Sequence, residues 1–175
     1  MISLWKLIED DHRALERAAE DLKRGPLVTY GDRARAFETL RVAWDWHSRD
    51  MRELIYPILD RRQEPPSKEA ALHQDAAVDA ALKDLLEQTG NAAAFREKIT
   101  PLGEVLHRHI AFAEKEMLPK VQRTIDGHEL VRIAAVWGEA QLHGRTAASA
   151  TQAIHSPQNQ LGTHYDIPAE GAPSS

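Results

Sequence analysis

Four of the nine histidines stand in two pairs of nearly equal spacing. His12 and His47 are 35 positions apart, and His73 and His109 are 36 positions apart. A proline follows ten positions after the second histidine of each pair, in "HSRDMRELIYP" and in "HIAFAEKEMLP". This repeat predicts two helical hairpins of one design, in which each of four helices contributes one histidine.

Imidazole nitrogens that meet in a buried core point to metal binding. A single buried histidine is usually a hydrogen-bonded core residue, but several imidazoles buried without partners would cost about 1–3 kcal/mol each. A shared metal ion removes that cost, and zinc, nickel, copper and iron(II) all accept imidazole. The chain has no cysteine, which excludes thiolate metal sites, thiol catalysis and disulfide bonds. The histidine repeat therefore indicates a metal site, present or ancestral.

Helices must position these histidines. Apolar residues recur at three- and four-residue spacing along nearly the whole chain, and no stretch alternates like a strand. The pattern predicts five helices, which begin near residues 3, 32, 67, 91 and 128. Short connections favour an all-α fold, an antiparallel up-down four-helix bundle with the fifth helix packed alongside. Pro101 lies inside the fourth helix, and the repeat favours a kinked continuous helix over a new start there.

The chain has the length of one domain with a buried core, at 175 residues. The helical bundle domain is expected to span residues 1–150. Residues 151–175 are rich in Pro, Gly and Ser, which predicts a mobile C-terminal tail.

The residues together resemble the hemerythrin-like HHE cation-binding domain family. The resemblance rests on one histidine per helix, the "H…YP" and "H…LP" helix ends and the opening "EDDHRALE", and it covers about residues 3 to 145. It implies a four-helix bundle with a non-haem di-iron centre bridged by carboxylates. Members of the family bind or sense oxygen, respond to oxidants or nitric oxide, or handle iron. His12, His47, His73 and His109 stand at the family's histidine positions.

The carboxylates that would bridge two irons are missing. The family pattern H-x-x-x-E places glutamates where this chain has Met51 and Ala113. Glu114 meets the spacing of the oxygen-carrying branch and is the one matched carboxylate ligand, whereas Ala77 replaces a further histidine of that branch. Methionine is a soft, neutral ligand and alanine offers no donor, so the set suits one divalent metal better than a bridged pair.

Two acidic residues precede the first histidine. Asp10 and Asp11 are candidates to orient His12 through its second ring nitrogen, although a simple surface position is favoured for both.

The charge and hydropathy of the chain limit the classes of partner that it is expected to bind. The formal net charge of −5 has both signs intermixed, which argues against nucleic acid or a membrane surface as a partner. No apolar run reaches the ~18 residues of a membrane span, and the acidic start "MISLWKLIEDDH" is unlike a signal peptide. The expected location is the cytoplasm.

The leading hypothesis is a hemerythrin-like metal-binding protein in oxygen, redox or nitric-oxide sensing or in metal handling, rather than an enzyme. The resemblance implies non-haem iron, mononuclear or dinuclear, or another divalent metal, with O2 or another small diatomic molecule as a candidate ligand. The alternative is a metal-free helical bundle that acts as an interaction or oligomerisation module. A homo-oligomer is compatible with this alternative. A di-iron oxidase or peroxidase is the least favoured hypothesis because both bridging carboxylates are missing.

Overall fold

The computed structural model describes residues 3–25, 27–61 and 65–154, with side chains up to residue 142, and within these ranges it contains helices and no strand. The α-helices are α1 (Leu4–Arg24), α2 (Tyr30–Asp50), α3 (Tyr56–Arg61), α4 (Pro65–Glu87), α5 (Ala92–Phe112), α6 (Leu118–Thr124) and α7 (Gly127–Ile154). Two five-residue π-helical segments, Met51–Ile55 and Ala113–Met117, join α2 to α3 and α5 to α6. The all-helical fold class is confirmed.

Side-chain caps fix the starts of α2 and α5. The Thr29 hydroxyl accepts a hydrogen bond from the Asp32 N–H at 3.1 Å, and the Asp32 carboxylate accepts one from the Thr29 N–H at 3.0 Å. This capping box begins α2 slightly before the predicted position. The Asn91 side chain accepts hydrogen bonds from the N–H groups of Ala93 and Ala94, where the fourth helix was predicted to begin.

A proline accounts for the widened turn between α2 and α3. Pro57 has no N–H to donate, and its ring would crowd the carbonyl of Glu53, four residues earlier, in a regular α-helix. The turn opens to five residues, and the Tyr56 N–H donates to the Met51 carbonyl. π-helical turns of this kind are rare and frequently lie at functional sites.

The same combination of a π-helical segment and a proline recurs in the second half of the chain. Pro119 follows the second π-helical segment, where the Leu118 N–H donates to the Ala113 carbonyl. Both segments begin four residues after a histidine of the repeat, His47 or His109. The equivalence of the two helix ends after His47 and His109 is therefore confirmed in the backbone.

The buried apolar residues form two clusters. The first cluster consists of Leu4, Leu7, Ile8, Met51, Ile55, Tyr56, Ile58, Leu59, Ala71, Ala113, Met117, Leu118, Val121, Ile133 and Trp137. The second cluster consists of Leu15, Leu22, Leu27, Phe37, Leu40, Trp44, Val78, Leu82, Leu85, Phe95, Ile99, Leu102, Leu106 and Ile110. Along α1 and α4 the chain passes from the first cluster to the second. From α2 and α5 into the π-helical segments that follow them, it passes from the second cluster to the first.

The long helices pack against one another directly. α1 contacts α2 and α5, α4 contacts α5, and α7 contacts both α1 and α2. α5 runs unbroken through Pro101, which confirms the continuous fourth helix. Among the described helices, none combines the length and the apolar character that a membrane span requires.

α7 extends further than the sequence predicted. It continues to Ile154, four residues into the segment 151–175 that was expected to form the tail. The rest of that segment, residues 155–175, lies outside the described residues.

Candidate metal centre

On each of four long helices, the most deeply buried polar side chain lies within the apolar stripe. The four are His12 on α1, His47 on α2, Asp75 on α4 and His109 on α5, and each is at most 2% exposed. We call them the polar layer, because along every one of these helices they stand between residues of the two apolar clusters. Polar groups so deeply buried need partners to offset the loss of water.

Three imidazole rings meet in the polar layer. One ring nitrogen from each of His12, His47 and His109 lies within 4.8 Å of the others, and no comparable group of metal-ligating side chains exists elsewhere among the described residues. The Nε2 atoms of His47 and His109 are 3.2 Å apart. The Nε2 of His12 is buried with no hydrogen-bond partner. Three of the four histidines predicted from the sequence are therefore brought together.

Glu114 contacts the outer side of His12. Its Oε1 lies 2.9 Å from the Nδ1 of His12, and both of its carboxylate oxygens accept hydrogen bonds from Arg13 at 3.2 Å. Ala113, the first residue of the π-helical segment, is buried, whereas Glu114 keeps 25% of its side chain exposed. The structure thus places Glu114 at the outer nitrogen of His12 and not in the nitrogen cluster, where the sequence led us to expect a ligand.

Asp75 contacts the outer side of His109. Its Oδ1 lies 3.2 Å from the Nδ1 of His109, although the ring N–H is not aligned for a hydrogen bond. The Tyr56 hydroxyl donates to both oxygens of Asp75, at 3.1 and 3.2 Å, and the Arg52 Nε donates to Oδ2 at 3.1 Å. Three hydrogen bonds from two side chains therefore hold this carboxylate beside the histidine.

The outer side of His47 faces Asp11. The Oδ2 of Asp11 lies 3.9 Å from the Nδ1 of His47. Asp10 has the surface position that the sequence favoured and pairs with Lys6 at 2.7 Å, whereas Asp11 faces His47 and not His12. Successive residues on a helix point about 100° apart, so Asp11 turns toward α2 when His12 turns into the core.

His73 does not belong to the polar layer. Its side chain is exposed on α4, two residues before the buried Asp75. Two residues on a helix point about 200° apart, so His73 and Asp75 face nearly opposite directions. The predicted fourth histidine of the site is therefore wrong in position, and the fourth helix contributes a carboxylate instead.

Asp75 is a candidate site residue that the sequence analysis missed, although the sequence contained a signal for it. It continues the alternating four- and three-residue spacing of the buried α4 residues: Ala71, Asp75, Val78, Leu82 and Leu85. An aspartate in such a stripe must be paired or hydrogen-bonded when the helix is buried. Helix-face periodicity was a better guide here than the spacing between histidines.

Burial keeps His12 and His47 neutral. The pKa of His12 falls to about 3, mainly because burial penalises the charged ring and then because His47 repels a second charge, while Glu114 opposes the fall. The pKa of His47 also falls to about 3, through burial and the proximity of His109, with Asp75 opposing. Neutral imidazole is the form that binds a metal ion. Both rings are therefore ready to act as ligands at neutral pH.

These pKa values predict a loss of stability in mild acid for the metal-free protein. His12 and His47 titrate at about 3 when folded and at 6.5 in the reference state, so the unfolded chain binds more protons between these values. The free energy of unfolding should fall as the pH drops below 6.5, by up to about 1.4 kcal/mol per pH unit for each histidine.

Urea unfolding of the metal-free protein at pH 7.0, 6.0 and 5.0 measures this dependence. His47→Gln is the matched control, since glutamine keeps a polar side chain that does not titrate, and its slope should be shallower. Equal stability at pH 7.0 and 5.0 in the parent protein would contradict the expected burial of neutral histidines.

Two tryptophan rings pack against the histidine cluster. The Trp44 ring lies 4.9 Å from the His109 ring between centroids, and its Nε1 donates to Asp79 at 2.6 Å. The Trp137 ring of α7 lies 6.1 Å from the His47 ring. Both tryptophans are fully buried, so they keep water away from the nitrogens.

The comparisons with known proteins agree with this fold. The sequence model of the hemerythrin HHE cation binding domain matches residues 3–121. A solved structure of a hemerythrin HHE cation binding domain-containing protein from Mycobacterium kansasii is similar with a TM-score of 0.72 at 18% identity, over 89% of this chain and 94% of that one. None of the curated proteins matches the chain. The family match spans both helical hairpins and all four members of the polar layer, and the chain belongs to the hemerythrin HHE cation-binding domain family.

Proposed function

We propose that the protein binds one divalent metal ion through the imidazoles of His12, His47 and His109. The observation that carries this proposal is the orientation of the three rings. Each Nδ1 has a carboxylate as its nearest charged neighbour, from Glu114, Asp11 or Asp75, at 2.9 to 3.9 Å. Metal-ligating histidines are commonly oriented by a carboxylate on the other ring nitrogen in this way.

The carboxylates beside the rings favour one tautomer electrostatically. A carboxylate beside Nδ1 favours the tautomer with the proton on that nitrogen, which leaves Nε2 with a free electron pair. The Nε2 atoms of His47 and His109 are 3.2 Å apart, and with both ring protons on Nδ1 these two nitrogens cannot hydrogen-bond to each other. Two ligands about 2.0–2.1 Å from a tetrahedral zinc ion are about 3.3 Å from each other. The spacing therefore supports a shared metal ion.

A carboxylate-bridged iron pair does not fit these residues. The bridging positions implied by the family resemblance hold Met51 and Ala113, which are buried in the first apolar cluster and offer no anionic oxygen. Glu114 is occupied by His12 and Arg13. Two cations a few ångströms apart repel strongly in a buried site and need anionic bridges. The proposal is accordingly a mononuclear centre.

The role we propose is sensing or metal handling in the cytoplasm rather than turnover. An ion held by three protein ligands keeps a coordination position for a small exogenous ligand, of which O2 and nitric oxide are the family-implied candidates. Imidazole ligands accept iron(II), zinc, copper and nickel, and non-haem iron is the candidate that the family favours. The proposal assumes the antiparallel up-down arrangement of α1, α2, α4 and α5. The alternating order of the two apolar clusters along these helices supports it.

Metal titration of the metal-free protein tests the proposal. Zinc or anaerobic iron(II) should bind at one ion per chain and raise the melting temperature. At a free metal concentration of 100 times Kd the stabilisation is about 2.7 kcal/mol, or roughly 5–10 °C for a chain of this size. Chelator should reverse the shift. A melting temperature indifferent to metal and chelator would favour the metal-free interaction module instead.

A further inference from the structure

α7 reaches the polar layer from outside the segment that the family match covers. The Trp137 Nε1 donates a hydrogen bond to Asp11 Oδ2 at 2.9 Å. The Gln141 side chain donates to Asp11 Oδ1 at 2.5 Å and to the Leu7 carbonyl at 3.1 Å. One helical turn of α7 therefore holds both oxygens of a carboxylate on α1.

That carboxylate faces a histidine of the site. The Asp11 oxygen that accepts from Trp137, Oδ2, is also the oxygen 3.9 Å from the Nδ1 of His47. The Trp137 ring itself is fully buried against His47. α7 thus contacts His47 directly through the indole ring and indirectly through Asp11.

The other two carboxylates are held in a different way. Glu114 is bound by Arg13 of α1, and Asp75 by Tyr56 and Arg52 of the first hairpin, so their supports lie within residues 3–121. Only the carboxylate beside His47, among the three described here, receives its hydrogen bonds from α7. Among the three histidines of the site, the position of α7 therefore affects His47 in particular.

We infer that Trp137 and Gln141 are positioning residues of the metal centre, acting through Asp11 on His47, and that docking of α7 and metal occupancy stabilise each other. The inference rests on the proposed metal site. A carboxylate fixed beside Nδ1 keeps the proton on that nitrogen and stabilises the positive charge brought by a metal at Nε2. When α7 undocks, Asp11 loses its two hydrogen-bond donors. The site then loses a carboxylate in a fixed position and the Trp137 ring that packs beside His47.

The coupling is reciprocal by thermodynamic necessity. If docked α7 raises the metal affinity by a given factor, bound metal favours the docked state of α7 by the same factor. A partner that competes for the inner face of α7 would therefore release metal, and metal loss would expose that face. The surface concerned includes the buried Ile133 and Trp137.

Zinc affinity of matched variants, measured on the full chain by competition with a chelator, tests the inference. The variant Trp137→Phe with Gln141→Leu removes both donors to Asp11 and keeps most of the packing. It should bind zinc about tenfold more weakly, the lower end of the effect of outer-shell partners, because 3.9 Å is a long contact. Trp44→Phe is the control, since it removes an indole donor that also packs on the histidines but serves Asp79. It should change the affinity much less.

Two further measurements separate positioning from a general loss of structure. Asp11→Asn should weaken zinc binding to a similar degree, and adding the α7 substitutions to it should weaken binding little more, because the effects pass through one carboxylate. Amide hydrogen exchange in residues 127–142 should slow when zinc binds to the parent protein, and slow less in the α7 variant.

The outcomes are distinct. Equal zinc affinity in the α7 variant and the Trp44→Phe control, or fully additive effects with Asp11→Asn, would overturn the inference, as would zinc-independent exchange in α7. In each of these cases the parent protein still binds zinc and the proposed function stands. A parent protein that binds no zinc or iron(II) would overturn the proposed function itself.

Discussion

Replacing His109 with alanine is expected to weaken metal binding by roughly 100- to 1,000-fold. Structural zinc sites with four ligands have apparent binding free energies of about 10–16 kcal/mol, so one ligand accounts for about 3–4 kcal/mol. Each 1.4 kcal/mol is about a tenfold change in affinity. His109 is the best choice for this test because its Nε2 is 3.2 Å from the Nε2 of His47 and its Nδ1 faces the buried Asp75.

Two other histidines provide matched controls for this variant. His107→Ala removes an exposed imidazole two residues away on α5, and His73→Ala removes the exposed imidazole of α4 that the sequence placed in the site. Both should bind zinc like the parent protein in competition with a chelator. A loss of affinity in His73→Ala as large as that in His109→Ala would restore the four-histidine set and refute the polar layer as described.

The second large effect is expected from Asp75. Asp75→Ala should destabilise the metal-free protein by about 3 kcal/mol, the lower end for breaking a buried charged pair. The lower end applies because Arg52 is 41% exposed and regains water, whereas the buried Tyr56 hydroxyl loses both of its acceptor oxygens. Metal affinity should fall about 10- to 100-fold, since His109 loses its orienting carboxylate.

The neighbouring Asp79 supplies the control. It also accepts a hydrogen bond from Arg52, at 3.2 Å, but is 50% exposed and lies one helical turn from Asp75. Asp79→Ala should cost about 1 kcal/mol, less than Asp75→Ala, because its ion pair with Arg52 is exposed and only the Trp44 Nε1 loses a buried hydrogen bond. Urea unfolding and zinc competition on both variants measure these differences. If Asp75→Ala were no more destabilised than Asp79→Ala, the buried network around His109 would not hold the site as described.

The three histidines of the candidate site could be found from the sequence because they occur at equivalent positions of a repeat. Nearly equal spacing and the proline ten residues later identify equivalent points on two hairpins, and the two π-helical segments confirm this equivalence for His47 and His109. His12 stands on a strongly apolar stripe of α1, which alone predicts that it points inward. Local periodicity was sufficient for these residues.

The fourth position could not be found by counting residues. The spacing between His73 and His109 suggested an equivalent histidine, but the face of α4 is set by where that helix begins and by its own buried stripe. A difference of two residues turns a side chain about 200° around the helix, so Asp75 points inward and His73 outward. Repeat spacing fixes the approximate level along a bundle and leaves the face undetermined.

The carboxylates around the histidines depend on tertiary structure. Glu114 and His12 are 102 positions apart, and Trp137 and Asp11 are 126 positions apart. No local pattern predicts which acidic residue will face which ring across two helices. The sequence identified Glu114 and Asp11 as candidates, but it predicted Glu114 as a direct ligand and favoured a simple surface position for Asp11.

X-ray absorption at the metal edge tests the mononuclear three-histidine centre most directly. The protein should be purified after expression in medium rich in iron and zinc, and measured at the edge of the metal that it retains. We expect one metal environment with imidazole nitrogens at about 2.0–2.1 Å for zinc and no second metal within bridging distance. A metal neighbour a few ångströms away, together with two irons per chain, would show a bridged pair and contradict the central claim.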